Sequence, residues 1–356
     1  MICTLKIKLV PDEKQFNSLL ATMKRFNQAC NHISKVAFNL GTFSKFKLQK
    51  ACYYDVREQF GLSAQMVVRA IGKVSESYKA DKKTLHTFKD TGAMVYDERI
   101  LSFNGMEYAS LLTLDGRIKV PIVLGKYHHG LLYGNRVRGQ ADLILQDGVF
   151  YLMLAVEVPE APPVDSNDFL GIDVGIANLA TDSTGENFSG SAVNAVRNRN
   201  AKLRAKLQSK GTKSAKRLLK KRSKKEQRFV RNTNHVISKQ IVKKAKALGV
   251  GIALEDLSGI RLRTEKTVRK SQRSRQSSWA FYQLRQFISY KAKIAGVPIA
   301  LIDPRNTSRT CVVCGHVEKN NRKTRDNFCC LSCGYAAPAD NVAAVNISRK
   351  AMCQLA

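Results

Sequence analysis

Two short cysteine pairs, Cys311-Val-Val-Cys314 and Cys330-Leu-Ser-Cys333, stand 15 residues apart near the end of this chain. A C-x₂-C pair places two thiolates on one tetrahedral ion, and this separation lies inside the range of four-thiolate zinc sites. Gly315 and Gly334 follow the pairs where a turn benefits from positive φ. Four thiolates fill the coordination of Zn²⁺, so the site is expected to be closed and structural. A redox dithiol would need only one such pair. Cys329 has the wrong spacing to partner Cys333, and His316 is a weaker ligand than the thiolates.

Three carboxylates call for different chemistry. Asp173 lies inside the apolar run LGIDVG, Glu255 ends the apolar run GIALE, and Asp340 follows AAPA at the start of a helical segment. A charge in such runs is costly unless something balances it. Singly, Asp340 reads as an N-cap, Glu255 as a strand-end surface residue and Asp173 as half of a buried ion pair. Together they could hold Mg²⁺ or Mn²⁺, hard cations that need only a few carboxylates beside water and substrate phosphate. Two such ions about 3.5–4 Å apart can activate water on one side of a phosphodiester and stabilise the leaving oxygen on the other. Asp182, Asp256 and Asp303 also fall near strand ends but are weaker candidates, and Glu186 reads as a turn residue.

The totals favour an anionic partner. Of 356 residues, 60 are Lys or Arg against 28 Asp or Glu, a formal net charge of +32. Repulsion on that scale calls for a polyanion, and nucleic acid fits better than a membrane surface. The longest apolar run, VFYLMLAV at 149–156, is too short to span a bilayer. The first residues, MICTLKIKLVPDEKQF, carry charges through their apolar alternation and show no secretory core. A soluble intracellular protein is expected. Five of the nine cysteines cluster between 311 and 333, which points to metal rather than disulfides; Cys3, Cys30, Cys52 and Cys353 read as ordinary thiols.

The elements that must position these groups can be read from periodicity. Alternation over 2–10 predicts a strand ending at Pro11, and Asp12 can cap a helix to about Asn39. A second helix follows Ser63. From Gly92 to Val158 period-two alternation with turns such as LDGR predicts several strands. The first half therefore reads as a β-barrel or meander with an inserted helical subdomain. APPVDSND at 161–168 reads as a linker. Three strands follow, then a stretch from Arg197 to Lys246 with 20 Lys or Arg and a single acid, Glu226. A solvated helix face normally mixes both signs, so this composition favours a phosphate backbone as partner. GVGIALEDL predicts a buried strand, 261–275 an exposed basic loop, 279–296 a helix, VPIALID a strand and 340–352 a last helix. Within 279–296 the aromatic stripe of Phe281, Phe287 and Tyr290 reads as core, leaving Trp279 or Tyr282 to stack on bases.

Carboxylates on a first strand, a later buried strand and a final helix resemble the layout of a ribonuclease H-like nuclease. The motifs GIDVG at 171–175, NHVISKQIV at 234–242, LEDLSGIR at 254–261, TSRTCVVCG at 307–315 and FCCLSCGYAAPADNVAAVNI at 328–347 resemble the TnpB family. These transposon-encoded OrfB proteins are RNA-guided DNA endonucleases related to compact type V CRISPR effectors. The resemblance implies a multi-domain α/β and β fold. Residues 1–165 would form a wedge-like β-barrel with a helical recognition lobe inserted at about 12–90. Residues 166–356 would form a RuvC-like nuclease domain with a zinc-ribbon insertion at about 305–338. It further implies that Asp173, Glu255 and Asp340 are catalytic and bind Mg²⁺ or Mn²⁺, and that Cys311, Cys314, Cys330 and Cys333 bind Zn²⁺. The partners would be a guide RNA and target DNA, double- or single-stranded, held by a monomeric protein in a ribonucleoprotein at the prokaryotic nucleoid, in the cytoplasm. One departure stands out: the family commonly has Asn two residues after the last Asp, where this chain has Val342, with Asn341 before it. The competing expectations are an RNA-guided DNA-binding repressor with weak or no nuclease activity, a guide-free RuvC-like nuclease, and a zinc-ribbon nucleic-acid-binding protein with structural acids.

Overall fold

A computed structural model describes residues 1–257 and 281–355 of the chain. The expected basic loop at 261–275, Trp279 and the end of the LEDLSGIR motif lie outside the described residues. The chain divides into two compact units, Met1–Pro159 and Glu160–Ala356.

In the first unit, seven strands form one sheet in the order β2-β6-β7-β1-β5-β4-β3, curled into a nearly closed barrel. Its centre is β1 (Ile2–Leu9), whose strict alternation buries Cys3, Leu5, Ile7 and Leu9. β1 is flanked by β7 (Val149–Glu157) and β5 (Gly116–Val123), both antiparallel to it. The remaining strands are β2 (Met94–Asp97), β3 (Leu101–Asn104), β4 (Tyr108–Thr113) and β6 (Arg136–Gln146). Three helices are inserted between β1 and β2: α1 (Glu13–Asn39), α2 (Lys45–Phe60) and α3 (Ala64–Ala80). Asp12 caps α1 in a capping box with Gln15, and Ser63 caps α3. Periodicity missed α2 because it buries only Leu48, Cys52 and Val56, too thin a stripe to stand out. It also missed the short α4 (Lys126–Leu132), which buries no residue.

The second unit is built on a five-stranded sheet of order β10-β9-β8-β11-β12. β8 (Phe169–Asp173), β11 (Gly251–Glu255) and β12 (Ile299–Ile302) run parallel, while β9 (Asn178–Asp182) pairs antiparallel with β8 and β10 (Asn187–Ser189) antiparallel with β9. Strand alternation splits the core in two. Leu170, Ile172, Ile252 and Leu254 face α6 (Lys213–Leu248) and α7 (Phe281–Ala295), packing on Ile241, Leu284 and Ile288. Phe169 and Ala253 face the other way, onto Ile347 and Ala351 of the last helix, α8 (Ala339–Leu355). Gly171 lets α8 approach: a Cβ there would stand 2.0 Å from the carbonyl oxygen of Ala344. Ser348 Oγ closes the same contact by donating to the carbonyl of Phe169 at 2.6 Å.

The basic stretch forms two helices, α5 (Ser191–Lys210) and α6, broken where Gly211 takes φ 63° and Thr212 caps α6. The segment 161–168 is not slack, since the N–H groups of Ala161 and Val164 donate to the carbonyls of Ile294 and Gly296. Between β12 and α8 lie a 3₁₀ turn (Lys319–Arg322) and a small hairpin of β13 (Asn327–Cys329) and β14 (Ala336–Pro338). Within that segment Cys311, Phe328 and Cys330 pack on Ala339 and Val342 as a small core.

Candidate functional site

Asp173 and Glu255 end adjacent parallel strands. The pairing of Leu254 with Ile172 sets Glu255 beside Asp173, on the face of the sheet that α8 covers. The descending contacts of α8, Ser348 on Phe169 and Ala344 on Gly171, carry its first turn to the end of β8. Asp340 therefore arrives from the opposite side. Asp173 lies within electrostatic range of both Glu255 and Asp340. Burial, reinforced by Glu255 and then Asp340 and opposed by Arg322, pushes Asp173 up to about 7. Burial also raises Glu255 above the usual carboxylate range, against a hydrogen bond from Thr307.

Each carboxylate has neutral or cationic neighbours. Asp340 accepts from Asn178 Nδ2 at 3.1 Å and pairs with Arg322 Nη2 at 3.2 Å. Glu255 accepts from the Thr307 hydroxyl at 2.6 Å. Among the described residues the oxygens of the three acids do not gather within 4.8 Å of one another as the cysteine sulfurs do. A half-buried group of three acids, with Arg322 beside Asp340 and with Lys350 and Asp303 both acting on Glu255, is a hard-oxygen donor set that fits a divalent cation.

Of the weaker candidates, Asp303 lies in electrostatic range of Glu255 and raises it further, while Asp182 and Asp256 are held in ion pairs of their own. Lys244 holds Asp182 and Glu186 in the turn between β9 and β10, and Arg285 pairs with Asp256 at 2.9 Å. Asp303 caps its own turn through the N–H of Arg305. Val342 is 1% exposed in the small core beneath the cysteines, while the buried Oδ1 of Asn341 has no hydrogen-bond partner.

The cysteines meet as one cluster. Among the described residues, Cys311, Cys314, Cys330 and Cys333 form the group whose ligand atoms all lie within 4.8 Å of one another. The Cys311–Cys333 and Cys314–Cys330 sulfurs are 3.6 Å apart. That is far beyond a disulfide bond of about 2.05 Å. It is close to the edge of about 3.8 Å in a tetrahedron of thiolates set 2.3 Å from zinc. Gly315 and Gly334 both take φ 74°, closing the two turns. The Cys333 N–H aimed at Cys330 Sγ, with that of Ser332, lowers the Cys330 thiol, while Cys333, against a hydrogen bond from the Tyr335 N–H, is raised by the contacts it shares with Cys314 and Cys311. The donor set fits Zn²⁺. Cys329 is exposed on β13 and outside the cluster.

Sequence patterns did not single out Thr307, Asn178, Arg322 or Asn346 as neighbours of the site. Thr307 opens the TSRTCVVCG motif and Asn346 lies near the end of FCCLSCGYAAPADNVAAVNI, but Arg322 sits in a basic run that carries no local signal. Of the aromatic residues on α7, Tyr282 is exposed, while Phe287 is half-buried and stacks on His235 with ring centroids 3.9 Å apart.

Residues 153–261 match the OrfB_IS605 family model, described as "Probable transposase", and residues 281–347 match the Cas12f1-like TNB domain. The chain is 40% identical over 121 residues to the CRISPR-associated endodeoxyribonuclease Cas12f1 of Sulfoacidibacillus thermotolerans, covering 34% of this chain and 27% of that protein. It is 35% identical over 150 residues to the TnpB-like protein MJ0751 of Methanocaldococcus jannaschii, covering 42% and 52%. The chain thus matches about half or less of the length of these relatives. Its fold resembles that of a Cas12f1 chain solved with sgRNA and target DNA, with a TM-score of 0.67, 14% identity and 98% of each chain covered. The chain is a relative of the TnpB-like and Cas12f proteins. No described helix is long and apolar enough to cross a membrane.

Proposed function

We propose that this chain is an RNA-guided DNA endonuclease with one metal-dependent cutting site. The observation that carries the reading is the meeting of Asp173, Glu255 and Asp340 at the ends of two parallel strands and a helix. The strand order β10-β9-β8-β11-β12 supports a ribonuclease H-like, RuvC-like domain over residues 166–356, with a zinc ribbon at about 305–338. In this reading Asp173, Glu255 and Asp340 hold Mg²⁺ or Mn²⁺, which supplies an activated water and stabilises the departing oxygen of a phosphodiester. Asn178 and Thr307 orient Asp340 and Glu255 by donating to them. Arg322, paired with Asp340, adds a fixed positive charge at the site.

The cysteine cluster holds Zn²⁺ as a closed structural site and braces the start of α8. Residues 1–165 form a wedge-like barrel with a helical recognition lobe at about 12–90, which grips guide RNA beside a short DNA motif. Base pairing then selects the target. The exposed cations of α5 and α6, the endodeoxyribonuclease name of one relative and the sgRNA and target DNA bound to the similar Cas12f1 fold support RNA and DNA as partners; in this reading the protein is a monomer in a cytoplasmic ribonucleoprotein. The test is to sequence the RNA that copurifies with the protein, then assay guided cleavage and binding with Asp173→Ala. One discrete RNA, abolished cleavage and nearly unchanged binding are expected. Equal loss of binding and cleavage would make Asp173 structural, and the absence of a discrete RNA would leave a guide-free nuclease.

A further inference from the structure

The turn 307–310, which leads into the first cysteine pair, joins two of the three acids. Thr307 is 3% exposed, and its hydroxyl lies 2.6 Å from Glu255 Oε1 and 3.0 Å from the carbonyl of Pro304. A hydroxyl has one proton to donate, and the charged, nearer carboxylate draws it. From the other side Asn346, a buried residue of α8, donates through Nδ2 to the carbonyls of both Thr307 and Thr310 at 2.8 Å. The helix that carries Asp340 therefore also fixes the backbone of the residue that orients Glu255.

Packing alone does not call for this arrangement. Valine would fill the space of Thr307, and a buried hydroxyl is retained at a cost unless it has a partner to serve. We propose that Thr307, held by Asn346, is a positioning residue that locks Glu255 toward Asp173 and so sets the affinity of the carboxylate site for a divalent ion. The inference rests on the reading of the three acids as a metal site.

Isothermal titration of Mn²⁺ into the zinc-loaded full chain tests it. Thr307→Val is expected to weaken binding by about 10- to 100-fold, the usual effect of losing an outer hydrogen bond to a metal ligand. Thr307→Ala should match it, and Thr307→Ser, which keeps the hydroxyl, should restore wild-type affinity. Zinc content should stay the same throughout. Unchanged Mn²⁺ affinity in a folded, zinc-loaded Thr307→Val or Thr307→Ala protein overturns the proposal, as does failure of serine to rescue. Asp173→Asn is the control for the underlying reading: if wild type and Asp173→Asn bind Mn²⁺ alike, the metal site itself is refuted.

Discussion

At the scale of single residues, the electrostatics of Asp173 make a pH prediction. Its folded value of about 7 lies above the unfolded carboxylate value of about 3.9. The folded state therefore binds more protons over that interval, so stability falls as pH rises from about 4 through about 7. Removing the charge should remove this slope. In buffer free of Mg²⁺ and Mn²⁺ but with zinc retained, Asp173→Asn is expected to melt above the wild type at pH 8 and alongside it at pH 4. Mn²⁺ competes with the proton, so its stabilisation of the wild type should be larger at pH 8 than at pH 6. Thermal melts across pH check both; a difference between the proteins that does not vary with pH would show that burial and the neighbouring acids do not hold Asp173 above the usual carboxylate range. Val342 is explained at this scale too: it fills the core under the cysteines beside Cys311 and Phe328.

At the scale of elements, the segment from Pro304 to Pro338 acts as a brace between β12 and α8. Asn321, 1% exposed, ties its halves: Nδ2 donates to the carbonyls of Arg309 and His316, and Oδ1 accepts from the N–H of Leu331. The same segment contributes Arg322 to Asp340 and Thr307 to Glu255. Loss of zinc is thus expected to loosen the acids as well as the ribbon. Cys330→Ser should lower zinc content to near zero and the melting temperature of the second unit with it, whereas Cys329→Ser should alter neither. Metal analysis and calorimetry decide; the reverse pattern would move the ligand set. The cysteine pairs were legible in the sequence because each knuckle is a local turn with its own glycine. The hairpin of β13 and β14 was not, because strands of three residues offer too short a period to read.

At the scale of the whole molecule, charge dominates. On α5 and α6, 16 of the 20 Lys and Arg are exposed, and Glu226, the one acid of the stretch 197–246, is paired with Arg204. Replacing the exposed Lys206, Lys213, Lys216 and Arg217 with glutamine is expected to weaken nucleic-acid binding. The log–log salt slope should become shallower by about 0.9 for each duplex phosphate that is no longer neutralised, without change in melting temperature. Binding isotherms at several salt concentrations check this, and an unchanged slope would make the two helices a solvated surface. What the sequence by itself determined was the chemistry on offer: four thiolates at zinc spacing, acids embedded in apolar runs, and an excess of cations. Local spacing and strand alternation encode such features directly. Only the tertiary structure decided that Asp173, Glu255 and Asp340 meet, that Asp182 and Asp256 are taken by Lys244 and Arg285, and that Thr307 and Arg322 reach the acids. Those meetings depend on strand order and on the close approach of α8 over Gly171, which join residues far apart in the chain and leave no periodic trace in it.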